Sequence, residues 1–103
     1  MTDLIERNRE SIEELCRRYR VRRLEVFGSA AREDGFDART SDVDFLVEFL
    51  PQPPGQRADQ YFDLQHDLEQ TLGRRVDLVM LTAVSNPYFL RNIELERQVL
   101  YAA

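Results

Sequence analysis

Apolar residues in 3–19 recur at intervals of three and four: Leu4, Ile5, Ile12, Leu15, Cys16 and Tyr19. That spacing predicts an amphipathic helix, with Thr2 placed to cap its start. Glu13 with Arg17, and Glu14 with Arg18, stand four apart in the favourable order. Leu24-Glu25-Val26-Phe27 predicts a short strand that ends abruptly at Gly28-Ser29, with helix-favouring residues from Ala30 to Glu33 behind it. The clearest alternation lies in 42–49. Val43, Phe45, Val47 and Phe49 fall on one face; Asp42, Asp44, Leu46 and Glu48 fall on the other. Period two with β-branched and aromatic residues predicts a half-buried strand.

The remaining elements follow in order. A turn at Asp34-Gly35 and a polar loop through Arg39 precede the central strand, and Pro51-Gln52-Pro53-Pro54-Gly55 ends it. Residues 58–72 form a second helix with a stripe of Tyr61, Leu64, Leu68 and Leu72, flanked by Phe62 and Gln65, and Gly73 sits where a terminating glycine belongs. Residues 76–80 form a strand whose one charge is Asp77. Asn86-Pro87 starts a helix over 87–97. Val99-Leu100-Tyr101 is either a last strand or the end of that helix. The expected fold class is α/β (α+β): a small mixed sheet with helices mainly on one face, and Asp42, Asp44 and Asp77 on an open, solvated face.

At 103 residues the chain is expected to form one domain, 1–103. Its 43% hydrophobic and 32% charged residues suit a globular protein. No apolar run is long enough for a membrane span, and the first residues lack the apolar core of a signal peptide. Together with a single cysteine, Cys16, this points to the cytoplasm. Cys16 lies on the apolar stripe and reads as a small buried hydrophobe. The lone His66 has no His or Cys partner and reads as a surface or boundary residue. A net charge of −5 argues against general nucleic-acid binding. Arg17, Arg18, Arg20, Arg22 and Arg23 complement the end of the first helix, or form a patch for an anionic partner. All fourteen basic residues are arginines, so no lysine chemistry is open to this chain.

Two features carry chemistry. A strand followed by Gly-Ser and a helix start gathers backbone N–H groups where an anion can bind. Most Gly-Ser pairs are only turns. Asp42 and Asp44 project from one strand face about 7 Å apart, and repel each other unless a cation sits between them. A divalent cation suits carboxylate oxygens; the pair reads equally as surface acids on a wet strand face. Asp77 on a later strand supplies a third carboxylate. Three carboxylates facing a phosphate turn are what two-metal phosphoryl transfer needs. Glu48 stands too far along the strand to join them and reads as a solvent residue.

Phe27-Gly28-Ser29-Ala30-Ala31-Arg32, then Ser41-Asp42-Val43-Asp44-Phe45-Leu46-Val47, then Leu72-Gly73-Arg74-Arg75-Val76-Asp77-Leu78-Val79, resemble the signature of the nucleotidyltransferase superfamily with the DNA polymerase β fold. More narrowly the chain resembles the minimal nucleotidyltransferase (MNT) proteins, antitoxins paired with HEPN-domain ribonuclease toxins. Twelve residues separate Ser29 from Asp42, a longer spacer than the family's, with the extra length in the 34–40 loop. The resemblance implies that Gly28 and Ser29, with Arg32 nearby, bind the nucleotide. It implies that Asp42, Asp44 and Asp77 are catalytic and bind two Mg2+ ions, with Asp77 helping to deprotonate the acceptor.

It further implies an adenylyltransferase that moves AMP from ATP to a tyrosine of a HEPN toxin, with which it forms a hetero-oligomer, without membrane or direct nucleic-acid binding. Two other functions stay open. The chain could neutralise its partner by capture alone, or transfer a nucleotidyl group to a small molecule; relatives that do the latter carry an extra helical domain.

Overall fold

The computed structural model describes residues 2–28, 42–53, 55, 57–80 and 97–103. Two helices open the chain, α1 (Asp3–Arg7) and α2 (Arg9–Arg18). They are followed by β1 (Val21–Phe27), β2 (Val43–Phe49), α3 (Arg57–Leu72), β3 (Val76–Met80) and β4 (Gln98–Ala102). The expected helix start at 30–33, the Asp34-Gly35 turn and residues 87–96 of the expected 87–97 helix lie outside the described residues; Arg97 is described and is not helical.

The single helix expected over 3–19 is two. Thr2 caps the first as expected, accepting from the Ile5 N–H. The break falls at Asn8, whose Nδ2 donates to the Leu4 carbonyl at 2.8 Å while its backbone N–H turns to Ile5 O at 3.2 Å. Asparagine competes in this way for the carbonyl that a helical N–H would take. The apolar stripe runs across the break, so Ile5, Ile12, Leu15 and Cys16 are all buried.

β1 begins three residues before the expected strand. Arg22 and Arg23 are both exposed, and the pairing with β2 shifts register between Val21 and Arg23. This irregularity breaks the alternation that marks a strand in sequence. Arg22 lies 3.5 Å from Glu48, and Arg18 3.8 Å from Glu14, so part of the arginine cluster is paired with acids.

The four strands form one mixed sheet in the order β3-β2-β1-β4. β1 runs antiparallel to β2 and β4; β2 and β3 are parallel, joined through α3. Residues 98–102 are thus a last strand, not a helix end. Val43, Phe45, Val47 and Phe49 all enter the core with Leu24, Val26, Val76, Leu78 and the helix stripes, including Leu64, Leu68 and Leu72 of α3. Tyr19 donates to Asp67 and ties the end of α2 to α3. Gly73 closes α3 at φ +69, its N–H bonded to Glu69 O at 2.8 Å.

The opposite sheet face is not uniformly open. Leu46 is 2% exposed and Glu25 4%, and Phe27 is also buried there. They sit on the two inner strands, with Glu25 opposite Leu46 and Phe27 opposite Asp44. Glu25 is held by Arg23, Nη2 at 3.0 Å, and by Arg97 at 3.7 Å. The acids are less covered: Asp42 and Asp44 are half-buried and Asp77 is exposed. Among the described residues no helix is long and apolar enough to cross a membrane.

Candidate active site

β1 delivers Gly28 at its C-terminal end, β2 delivers Asp44 one residue inside its start, and β3 delivers Asp77 one residue inside its own. The pairing sets Phe27 opposite Asp44 and Asp44 opposite Asp77. Paired residues share a face, so both carboxylates stand together at one end of the sheet. Gly28 has φ +73, a conformation natural to glycine. A β-carbon there would meet the Asp44 carboxylate. The start of β2 is pinned by the Val43 N–H, which donates to Arg75 O at 3.0 Å. Asp42 lies immediately before it.

The electrostatics follow from this crowding. Asp44 is raised from 3.8 to about 6 by burial, by a hydrogen bond with Asp77, and by the negative charges of Asp77 and Asp42. Two carboxyls close enough to share a proton cannot both ionise cheaply. The charge of Asp77 also reaches across the strand. With burial as the larger cause, it raises the phenol of Tyr61.

Four sequence-picked residues are thereby accounted for. Gly28, Asp44 and Asp77 come together, and Asp42 acts on Asp44 through its charge. Ser29 and Arg32 lie outside the described residues. Among the described residues, no three acidic, histidine or cysteine side chains make a preformed metal cage. The donor chemistry still fits a divalent cation: hard carboxylate oxygens from adjacent strands, held at a cost that positive charge would relieve.

Sequence reading missed a polar ladder on α3. Tyr61 donates to Leu78 O, Gln65 Nε2 donates to Val76 O at 2.9 Å, and Glu69 Oε2 accepts from the Val76 N–H at 3.1 Å. The spacing of four and four is visible in the sequence, but Gln65 reads only as a flank of the apolar stripe, and nothing local marks Glu69. Cys16 and His66 fall as expected. Cys16 is buried, its thiol pushed up to about 12 mainly by burial; His66 is exposed.

Paired acids beside a glycine turn, on a small mixed sheet, suit phosphoryl chemistry. Residues 10–103 match the sequence model of the family described as Polymerase beta, Nucleotidyltransferase, and the chain belongs to that family. It is a nucleotidyltransferase. A Methanocaldococcus jannaschii relative, named provisionally as a protein adenylyltransferase, is 35% identical over 92 residues, covering 89% of this chain and 86% of its own length. Protein adenylyltransferase MntA of Thermococcus cleftensis is 41% identical over 73 residues, 71% of this chain and 69% of that one.

Solved structures agree on the fold. One described provisionally as a minimal nucleotidyltransferase superposes with TM-score 0.73 at 32% identity, covering 94% of this chain and 95% of that one. A chain from the tri-AMPylated Shewanella oneidensis HEPN toxin in complex with MNT antitoxin gives TM-score 0.65 at 19% identity, over 95% of this chain and 72% of that one.

Proposed function

We propose that the chain is a cytoplasmic, Mg2+-dependent adenylyltransferase antitoxin. It moves AMP from ATP to a tyrosine of a partner HEPN ribonuclease toxin and so silences it. The observation that carries this reading is the register of Asp44 with Asp77 beside the Gly28 turn. The relatives named as protein adenylyltransferases support the choice of a protein acceptor, and the AMPylated HEPN toxin found with an MNT protein supports the kind of partner.

Each residue has a role in this reading. Gly28 lets the triphosphate approach the backbone, with Ser29 and Arg32 as further phosphate contacts. Asp42, Asp44 and Asp77 hold the Mg2+ ions. When bound, these ions would screen the negative charge of the triphosphate and of the departing pyrophosphate. Asp77 faces the acceptor and takes the proton of the tyrosine hydroxyl. The tyrosine oxygen then bonds to the α-phosphorus as the bond to pyrophosphate breaks, and pyrophosphate leaves with both electrons of that bond. The whole site belongs to one domain, 1–103, and the acceptor is bound by the partner's own surface meeting the open end of the sheet.

The test uses ATP labelled at the α-phosphate, Mg2+ and the HEPN protein encoded beside this gene. Label should appear on a partner tyrosine with the wild-type chain and vanish with Asp42→Asn. No label with either chain would overturn the transferase reading. Full protection from the toxin by Asp44→Asn would show that capture alone suffices.

A further inference from the structure

Among the described residues β3 is the terminal strand of the sheet order β3-β2-β1-β4, and Asp77 sits in it. In a parallel pair, the N–H and C=O of one residue point to the same side, and successive residues alternate sides. Arg75 turns its carbonyl inward to Val43, so Asp77 also faces β2, while Val76 and Leu78 turn outward. Those outward groups are the ones that α3 occupies. Val76 is held at both its N–H and its carbonyl, by Glu69 and Gln65, and Leu78 at its carbonyl by Tyr61. Both peptide neighbours of Asp77 are therefore fastened on the side away from β2, while the pairing with β2 fastens Asp77 on the other.

We infer that Tyr61, Gln65 and Glu69 are positioning residues that hold Asp77 in register with Asp44. This rests on the reading of Asp77 as the group facing the acceptor. Burial of Val76 and Leu78 forbids a one-residue slip of β3, which would turn them out of the core, but it opposes smaller shifts along the strand only weakly. Hydrogen bonds to alternate peptides oppose those shifts directly. The segment has only five residues, and it is pinned by three side chains spaced one helical turn apart. Small displacements of a reacting group cost rate far more than binding.

The nucleotide side of the site should behave differently. Gly28 and Asp44 are joined by the β1–β2 pairing, which α3 does not touch through these bonds. Loss of the ladder should therefore lower kcat about tenfold to a hundredfold, while KM for ATP stays within about threefold.

The experiment compares the full chain with Gln65→Leu, Glu69→Leu and their double variant, and with Glu69→Gln, which keeps an oxygen for the Val76 N–H. Adenylyl transfer to the partner and amide hydrogen exchange of the chain alone are measured. The Leu variants should lose kcat with KM for ATP retained. Their Asp77 and Val79 amides should exchange faster while Leu24 and Val26 hold, and Glu69→Gln should restore both. Two results would overturn the inference. One is kcat, KM and exchange at β1 failing together, which marks general loss of the fold. The other is an unchanged kcat with self-association, which marks a guard on the sheet edge. If the wild type transfers no label, the functional reading falls, and faster exchange confined to Asp77 and Val79 still decides the positioning.

Discussion

Gly28 and Asp44 are so close that a β-carbon on the glycine would stand 2.5 Å from the aspartate's Oδ2. The glycine also has φ +73. Alanine there would meet two separate penalties: a strained backbone, and a displaced carboxylate. The backbone term is of order 1 kcal/mol. Because the obstructing atom ends a short side chain, Asp44 can swing aside, and the fold survives. Gly28→Ala should lower the melting temperature by only a few degrees while transfer falls by about a hundredfold or more. Melting and label transfer on the same preparation check this.

Asp44 gives a pH signature. Its carboxyl is raised from 3.8 to about 6, so the folded chain binds that proton more tightly than the unfolded one. The stabilisation is fully present below the unfolded value and is lost as pH rises through 3.8 to 6. Asp44→Asn removes the loss. The variant should be more stable than wild type at neutral pH by about 1 kcal/mol, allowing for solvent screening. That advantage should disappear below about pH 4, and the variant should be inactive. Thermal denaturation across this range reads the sign directly.

Cys16 should be silent until the chain opens. Its thiol is buried between the helices and the sheet and is pushed up to about 12. The thiolate is the reactive form. Alkylation at pH 8 should therefore track the opening of the core, and its rate should rise in step with denaturant-induced unfolding. Rapid labelling of the native chain would contradict this placement.

Tyr19 separates stability from activity. Its hydroxyl donates to Asp67, and that bond is the main reason its phenol is raised above 10. Tyr19→Phe should cost about 1 kcal/mol and leave transfer unchanged, since the α2–α3 contact touches neither Gly28 nor the acids. In alkali, the difference spectrum between the two chains should show this phenol ionising late.

The sequence exposes what depends on local periodicity. The alternation from Val43 to Phe49 is visible because one face meets the core along the whole strand, and all four apolar residues are buried. Gly73 is visible because helix termination is local. The Asn8 break is hidden, since the apolar stripe continues through it. The first residues of β1 are hidden because Arg22 and Arg23 interrupt the period. Leu46, expected on the open face, is buried, and so is Glu25 opposite it, because their cover comes from neighbours on other strands. The meeting of Asp44 with Asp77 depends on strand register, which the spacing of the two residues cannot specify. The α3 ladder escaped for the same reason: Gln65, beside the apolar stripe, and Glu69 gain their partners only when the edge of β3 lies beside them.

The parallel β2–β3 pairing also sets when the site can exist. Gly28 leaves the ribosome early and Asp77 follows 49 residues later (77 − 28). The β1–β2 pairing can bring Gly28 to Asp44 beforehand, but the second carboxylate arrives only after α3 has been made and has folded back. A partly synthesised chain thus has half a site. On the proposed function, the capacity for transfer is acquired in one late step, with the strand whose outer edge α3 hydrogen-bonds.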